Sequence, residues 1–130
     1  VTTISVLKDA RVHEIYYKAA EAISRHGLSN SLVYDPYTHK IDIMGGILLA
    51  CGASERKLAE GLLETEECGV PPVNQGKVHV AYEYVESALA KDPSEWCENH
   101  ATHEAVALLQ RLAERIEISI RIPESLTQKD

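Results

Sequence analysis

The densest group of chemistry-bearing side chains in the sequence is Cys97, His100, His103 and Glu104. Cys-x2-His-x2-His offers a thiolate and two imidazoles close together, and zinc takes such ligands in a tetrahedral shell. The spacing differs from that of a zinc finger and from the HExxH of a metallohydrolase. A helix capped by Thr102 leaves His100 outside it, so the three side chains need not converge. Zinc on Cys97, His100 and His103 is the one cofactor the sequence offers, with helix capping and surface roles as its alternative. A second chemistry is nucleophilic: Cys97 as thiolate, activated by His100 or His103 and by the N-terminus of the helix that follows. No orienting group or oxyanion hole accompanies it. Cys51, in an apolar run, and Cys68, beside acids at a helix end, both favour the neutral thiol.

Other residues point to recognition instead. Trp96 is the single Trp. It either plugs a core with its indole N–H bonded to a carbonyl or anchors a partner, since Trp and Tyr are enriched at binding hot spots. Tyr16 and Tyr17, and likewise Tyr82 and Tyr84, cannot both face one core, and the periodicity turns Tyr17 and Tyr84 outward. Glu60, Glu64 and Glu67 recur at i, i+4 and i+7, and Glu83 and Glu86 at i and i+3, which predicts two acidic helix faces. Used as a hydrolytic pair, such carboxylates would need apolar surroundings to separate their pKa values. As surface groups they attract a basic partner.

The chain has 13 Lys and Arg against 20 Asp and Glu, a net charge of −7. Residues 1–53 hold five acids and five bases, so the excess lies wholly beyond them. Between Glu60 and Glu104 ten acids face only Lys77 and Lys91. This argues against direct nucleic-acid binding, which needs basic groups to displace counterions. It leaves open an acidic mimic of nucleic acid that binds a DNA-binding protein.

The elements that must position these groups follow from periodicity. Val12, Ile15, Tyr16, Ala19, Ala20 and Ile23 predict a helix from Asp9 to His26, capped by Asp9 and closed by Gly27. Segments 31–34 and 40–44 around Asp35-Pro36-Tyr37-Thr38-His39 predict a hairpin, followed by a change of direction at Gly45-Gly46. Ile47 to Cys51 reads as a short buried helix or strand. Ser54 caps a helix from Glu55 to about Glu67, residues 70–76 form a loop, and a helix spans roughly Val78 to Lys91. Asp92-Pro93 starts another turn. Thr102 caps a last helix with Val106, Leu109, Leu112, Ala113 and Ile116 as its stripe. From Ile116 to Ile122 isoleucines alternate with Glu117, Ser119 and Arg121, the pattern of a strand stopped by Pro123.

At 130 residues one domain is expected, here 1–123 with a loose tail at 124–130. The expected fold is α+β: four or five helices with a small antiparallel sheet, made of the hairpin near 31–44 and the strand near 116–122. Pairing of that strand across a homodimer is the competing arrangement. The longest apolar run, Ile47 to Ala53, is far short of the roughly 20 residues that span a membrane, and no signal segment opens the chain. With three cysteines, an odd number, free thiols and a cytoplasmic protein are expected.

The order of helix, His26-Gly27-Leu28, hairpin, Gly45-Gly46-Ile47 through Ala50, and then Trp96 before a helix with Glu104-Ala105-Val106-Ala107-Leu108-Leu109 resembles a known family. It is a group of small actinobacterial and actinophage proteins classed as a domain of unknown function. Its members show an aromatic residue or Leu after His-Gly, a Gly-Ala-Leu segment, and Trp-Asn-Asp before the last helix. Here Gly46 stands at the Ala position and Cys97-Glu98 follows Trp96. The resemblance covers about residues 9–115, implies a bacterial or phage origin, and brings no catalytic residues with it. The expectation is a non-enzymatic accessory or regulatory protein that binds a protein partner through an acidic surface, with Trp96, Tyr84, Glu60, Glu64, Glu83 and Glu86 as contact residues. A small metal-binding protein or hydrolase centred on Cys97, His100, His103 and Glu104 is the alternative.

Overall fold

The computed structural model describes residues 4–121. Within them the chain forms α1 (Ile4–Asp9), α2 (Val12–His26), α3 (Ile43–Ala50), α4 (Glu55–Ala59), α5 (Pro72–Leu89), α6 (Pro93–Cys97) and α7 (Thr102–Arg121). No strand occurs among the described residues, where extended backbone pairs only as isolated bridges from Ile41 to Leu28 and to Tyr34. The expected α+β fold with a sheet is therefore wrong: the protein is helical.

The expected strand near 116–122 is instead the end of α7, as far as Arg121. Ala105, Leu109, Leu112, Ala113 and Ile116 are buried at helical spacing. Ile120, one helical turn after Ile116, continues that face and packs on the core, while Ile118 turns outward at 57% exposure. An existing helix gains one hydrogen bond for each residue added, and this outweighs the β preference of three isoleucines. Among the described residues no strand offers an edge for a dimer to extend. Ile122, Pro123 and the expected tail at 124–130 lie outside the described residues.

The hairpin near 31–44 fails for a different reason. Its turn forms: Asp35 accepts the Tyr37 and Thr38 N–H groups on Oδ1, and its carbonyl accepts from His39 N–H. Its second arm does not continue, because Asp42 caps a helix by accepting the Gly45 N–H at 2.9 Å. Ile43 and Met44 become the first turn of α3, and Gly45-Gly46 lies inside that helix. Gly45 is needed there, since a Cβ on it would run into the Val33 carbonyl oxygen.

Several boundaries also shift. Arg11 takes a left-handed conformation between α1 and α2, so Asp9 closes α1 instead of capping α2. Ser54 caps α4 as expected, with Oγ accepting from Lys57 N–H, but the helix stops at Ala59. Helix α5 takes in residues 72–76 of the expected loop. Pro72 occupies its first position, where no N–H is required, and the Asn74 and Gln75 amides bond the Cys51 and Val70 carbonyls. Thr102 does not cap α7: its hydroxyl accepts the Leu28 N–H, and Glu104 reaches back to the Ala101 N–H at 2.8 Å.

Helix α2 is the centre of the fold and packs against α7 on one side and α3 on the other. Tyr16 and Ile23 from α2, Ile43, Ile47 and Leu48 from α3, and Leu109 and Ile116 from α7 are fully buried. Each contributes about 2 kcal/mol by leaving water. Helix α6 rests on α3 and α5, which fixes the stretch carrying Trp96 and the start of α7. No helix among the described residues is long and apolar enough to cross a membrane.

Candidate functional site

A groove of about 360 Å³ opens where the end of α5, α6 and the first turns of α7 meet. Leu89 and Leu108 form its apolar side, and Trp96 and His100 its aromatic side. His103, Glu104 and Arg111 stand along its polar rim. The groove is therefore built largely from the segment in which the sequence concentrates its chemistry.

Local structure fixes the aromatic side. Asp92 caps α6 by accepting the Ser94 N–H, and Pro93 fills the first helical position. Trp96 then falls half-buried on α6, and the chain turns back so that His100 lies parallel to the indole, 3.7 Å between ring centroids and 8° between planes. His100 Nδ1 donates to the Trp96 carbonyl at 2.6 Å, which sets the imidazole's tautomer when neutral. Asn30, from the loop after α2, donates to the Cys97 carbonyl at 2.6 Å and to the His100 carbonyl at 3.2 Å. This amide clamps the α6–α7 turn to the rest of the molecule.

Cys97 points away from the groove. Its side chain is 0% exposed, and burial pushes the thiol up to about 12, so it is neutral at physiological pH. Such burial disfavours the thiolate that both nucleophilic attack and metal ligation use. His103 is exposed on the first turn of α7. Among the described residues no three His, Cys, Asp or Glu side chains are grouped so as to hold a metal ion. Cys51 and Cys68 are likewise buried and free, with Cys51 pushed up to about 11 by burial.

The other sequence-predicted contacts are spread over the second half of the chain. Glu83 and Glu86 are exposed on α5, whereas Glu60 follows α4 and Glu64 lies in the turns beyond it, so only the first pair sits on a helix face. Tyr84 is half-buried and stacks on Tyr16, whose hydroxyl donates to the Ala81 carbonyl at 2.6 Å. Tyr82 is also half-buried and donates to Asp92 at 2.5 Å. Both tyrosines of α5 thus pack, because the helix has neighbours on two flanks. Tyr17 keeps 36% exposure and donates to Glu117.

Two polar groupings escaped the sequence reading. Asp42, 3% exposed, accepts from Gly45 N–H and from Ser94 Oγ, joining the start of α3 to α6. Burial raises its carboxyl above the ordinary value, against the lowering effect of those bonds. Its sequence signal is an Asp immediately before an apolar run, readable as a cap once that run is taken as a helix. The second grouping joins the end of α2, the following loop and α4. His26 Nδ1 donates to the His39 carbonyl at 2.7 Å, and its Nε2 lies 3.2 Å from Glu55 Oε1. Tyr34 donates to the same Glu55 oxygen at 3.1 Å and lies 2.9 Å from His39 Nδ1. Nothing local in the sequence links Glu55 to this clasp.

No family model, curated protein or solved structure matches the chain.

Proposed function

We propose that this is a non-enzymatic accessory or regulatory protein that binds a basic protein partner through the acidic surface of its second half. The observation that carries the reading is the state of the carboxylates. All ten acids from Glu60 to Glu104 are exposed. The close contacts of basic with acidic side chains among the described residues, Arg11 with Glu14 and His26 with Glu55, involve none of them. Uncompensated charge of one sign raises the energy of the free protein and is relieved by a partner of the opposite sign. A groove with Trp96 on its wall adjoins this surface through Glu104, and Trp is among the residue types enriched at binding hot spots.

A DNA-binding protein, whose own site is basic, has the complementary charge and is one such partner. Three free cysteines support a cytoplasmic setting, and the resemblance described above supports a bacterial or phage origin.

Selection of short random peptides displayed on phage against the immobilised protein tests the reading. Lys- and Arg-rich sequences should be enriched, and the enrichment should vanish when Glu83, Glu86, Glu95 and Glu98 are changed to Lys. Enrichment without a basic bias would overturn it.

A further inference from the structure

We infer that the groove between α5, α6 and α7 receives a single apolar anchor side chain from a cationic amphipathic segment of the partner. The inference rests on the proposed binding function and names the place and form of the contact. Acidity alone would attract any cation, but the groove adds a shaped apolar surface. Leu89 and Leu108 are half-buried hydrophobic residues packed on the core, and together with the Trp96 and His100 rings they line about 360 Å³. That is the lower end of the size of ligand clefts, enough for a side chain and too small for a folded element.

The ring stack pre-organises the site. His100 already covers one face of the indole and is held by its own Nδ1 bond, so little side-chain freedom remains to be lost on binding. Charge then sets the form of the occupant. Glu95, Glu98 and Glu104 are exposed around the α6–α7 turn, and Glu104 uses Oε1 for the Ala101 N–H. Cations flanking the anchor meet these carboxylates. Arg111, the one Lys or Arg lining the groove, repels them and confines the anchor to the end nearest Trp96. An acidic peptide would be repelled by these carboxylates, and a purely polar cationic peptide would leave the apolar walls wet.

The test uses the full chain and two synthetic peptides of identical Lys content, one with a central Leu and one with Ser in its place, followed by Trp96 emission and by affinity. Burial of one Leu predicts binding about ten-fold tighter or more for the Leu peptide, with emission shifted to shorter wavelength as the indole loses water. Glu98→Lys should weaken both peptides, and Arg111→Glu should strengthen both. Equal affinity of the two peptides with unchanged Trp96 emission overturns the anchor while leaving the acidic-surface function standing. Failure of both peptides to bind overturns the two together. Trp96 emission that depends on protein concentration without peptide means that a second copy fills the groove, and also overturns the proposal.

Discussion

Ser94 donates its hydroxyl hydrogen to Asp42 Oδ2 at 3.0 Å, joining two residues that lie far apart in sequence. The same carboxylate caps α3 through Gly45 N–H, so one buried acid holds both a helix packed on α2 and the helix that carries Trp96. Removing its oxygens with Asp42→Ala leaves the Gly45 N–H and the Ser94 hydroxyl without their acceptor. A loss of about 2 kcal/mol is expected in urea unfolding.

Asp42→Asn separates charge from hydrogen bonding. Burial raises the Asp42 carboxyl above the ordinary 3.8, so the folded protein holds this proton more tightly than the unfolded chain does. The stability this gives is complete below that ordinary value and is lost as pH rises through the raised folded value. The Asn variant keeps an acceptor oxygen but has no such loss. Its stability relative to the parent should therefore increase as pH rises through that window and then level off. An unchanging difference in urea midpoint across the window would contradict the buried-charge account.

The adjacent glycines of α3 should respond differently to the same change. A Cβ at Gly45 meets backbone, the Val33 carbonyl oxygen, which cannot move without displacing the loop. Gly45→Ala should cost about 3 kcal/mol. At Gly46 the nearest atoms are 3.3 Å away, and two of the three belong to the Ile23 side chain. The helix propensity gained there, about 1 kcal/mol, offsets the crowding, so Gly46→Ala should fall within about 1 kcal/mol of the parent in thermal unfolding.

These glycines also mark where the sequence misleads. Gly45-Gly46 reads as a change of direction, because the sequence shows freedom of the backbone but not the neighbour that requires a missing Cβ. Pro71-Pro72 reads as a loop for a similar reason, although Pro at the first helical position costs nothing. The alternation from Ile116 onward fits two periods at once: Ile116 and Ile120 share a helix face as well as a strand face, and only the exposed Ile118 distinguishes them. Helix α2 is legible because six apolar positions agree on one period. Within the site, Trp96, His100, His103 and Glu104 are close in the chain and visible as a cluster. Leu89 and Arg111 reach the groove only through packing, and the inward turn of Cys97 depends on where α6 rests.

Thiol labelling checks that turn. With Cys97 raised to about 12 and Cys51 to about 11 by burial, all three buried cysteines should react with an aromatic disulfide reagent on the order of a hundred-fold slower in the native protein than in urea. Complete unfolding should release three thiols. One fast thiol in the native protein, mapped to Cys97, would contradict this and favour the nucleophile reading.

The central claim is that the exposed carboxylates between Glu60 and Glu104, none of which is in a salt bridge among the described residues, form the binding surface. Its most direct test is the affinity of the Leu-bearing Lys peptide measured by titration calorimetry at low and physiological ionic strength. The comparison is the parent against a variant with Glu83, Glu86, Glu95 and Glu98 changed to Gln. The parent should bind about ten-fold tighter than the variant at low salt, and the difference should shrink as salt screens the exposed charges. Equal affinity of parent and variant at both ionic strengths would contradict the account.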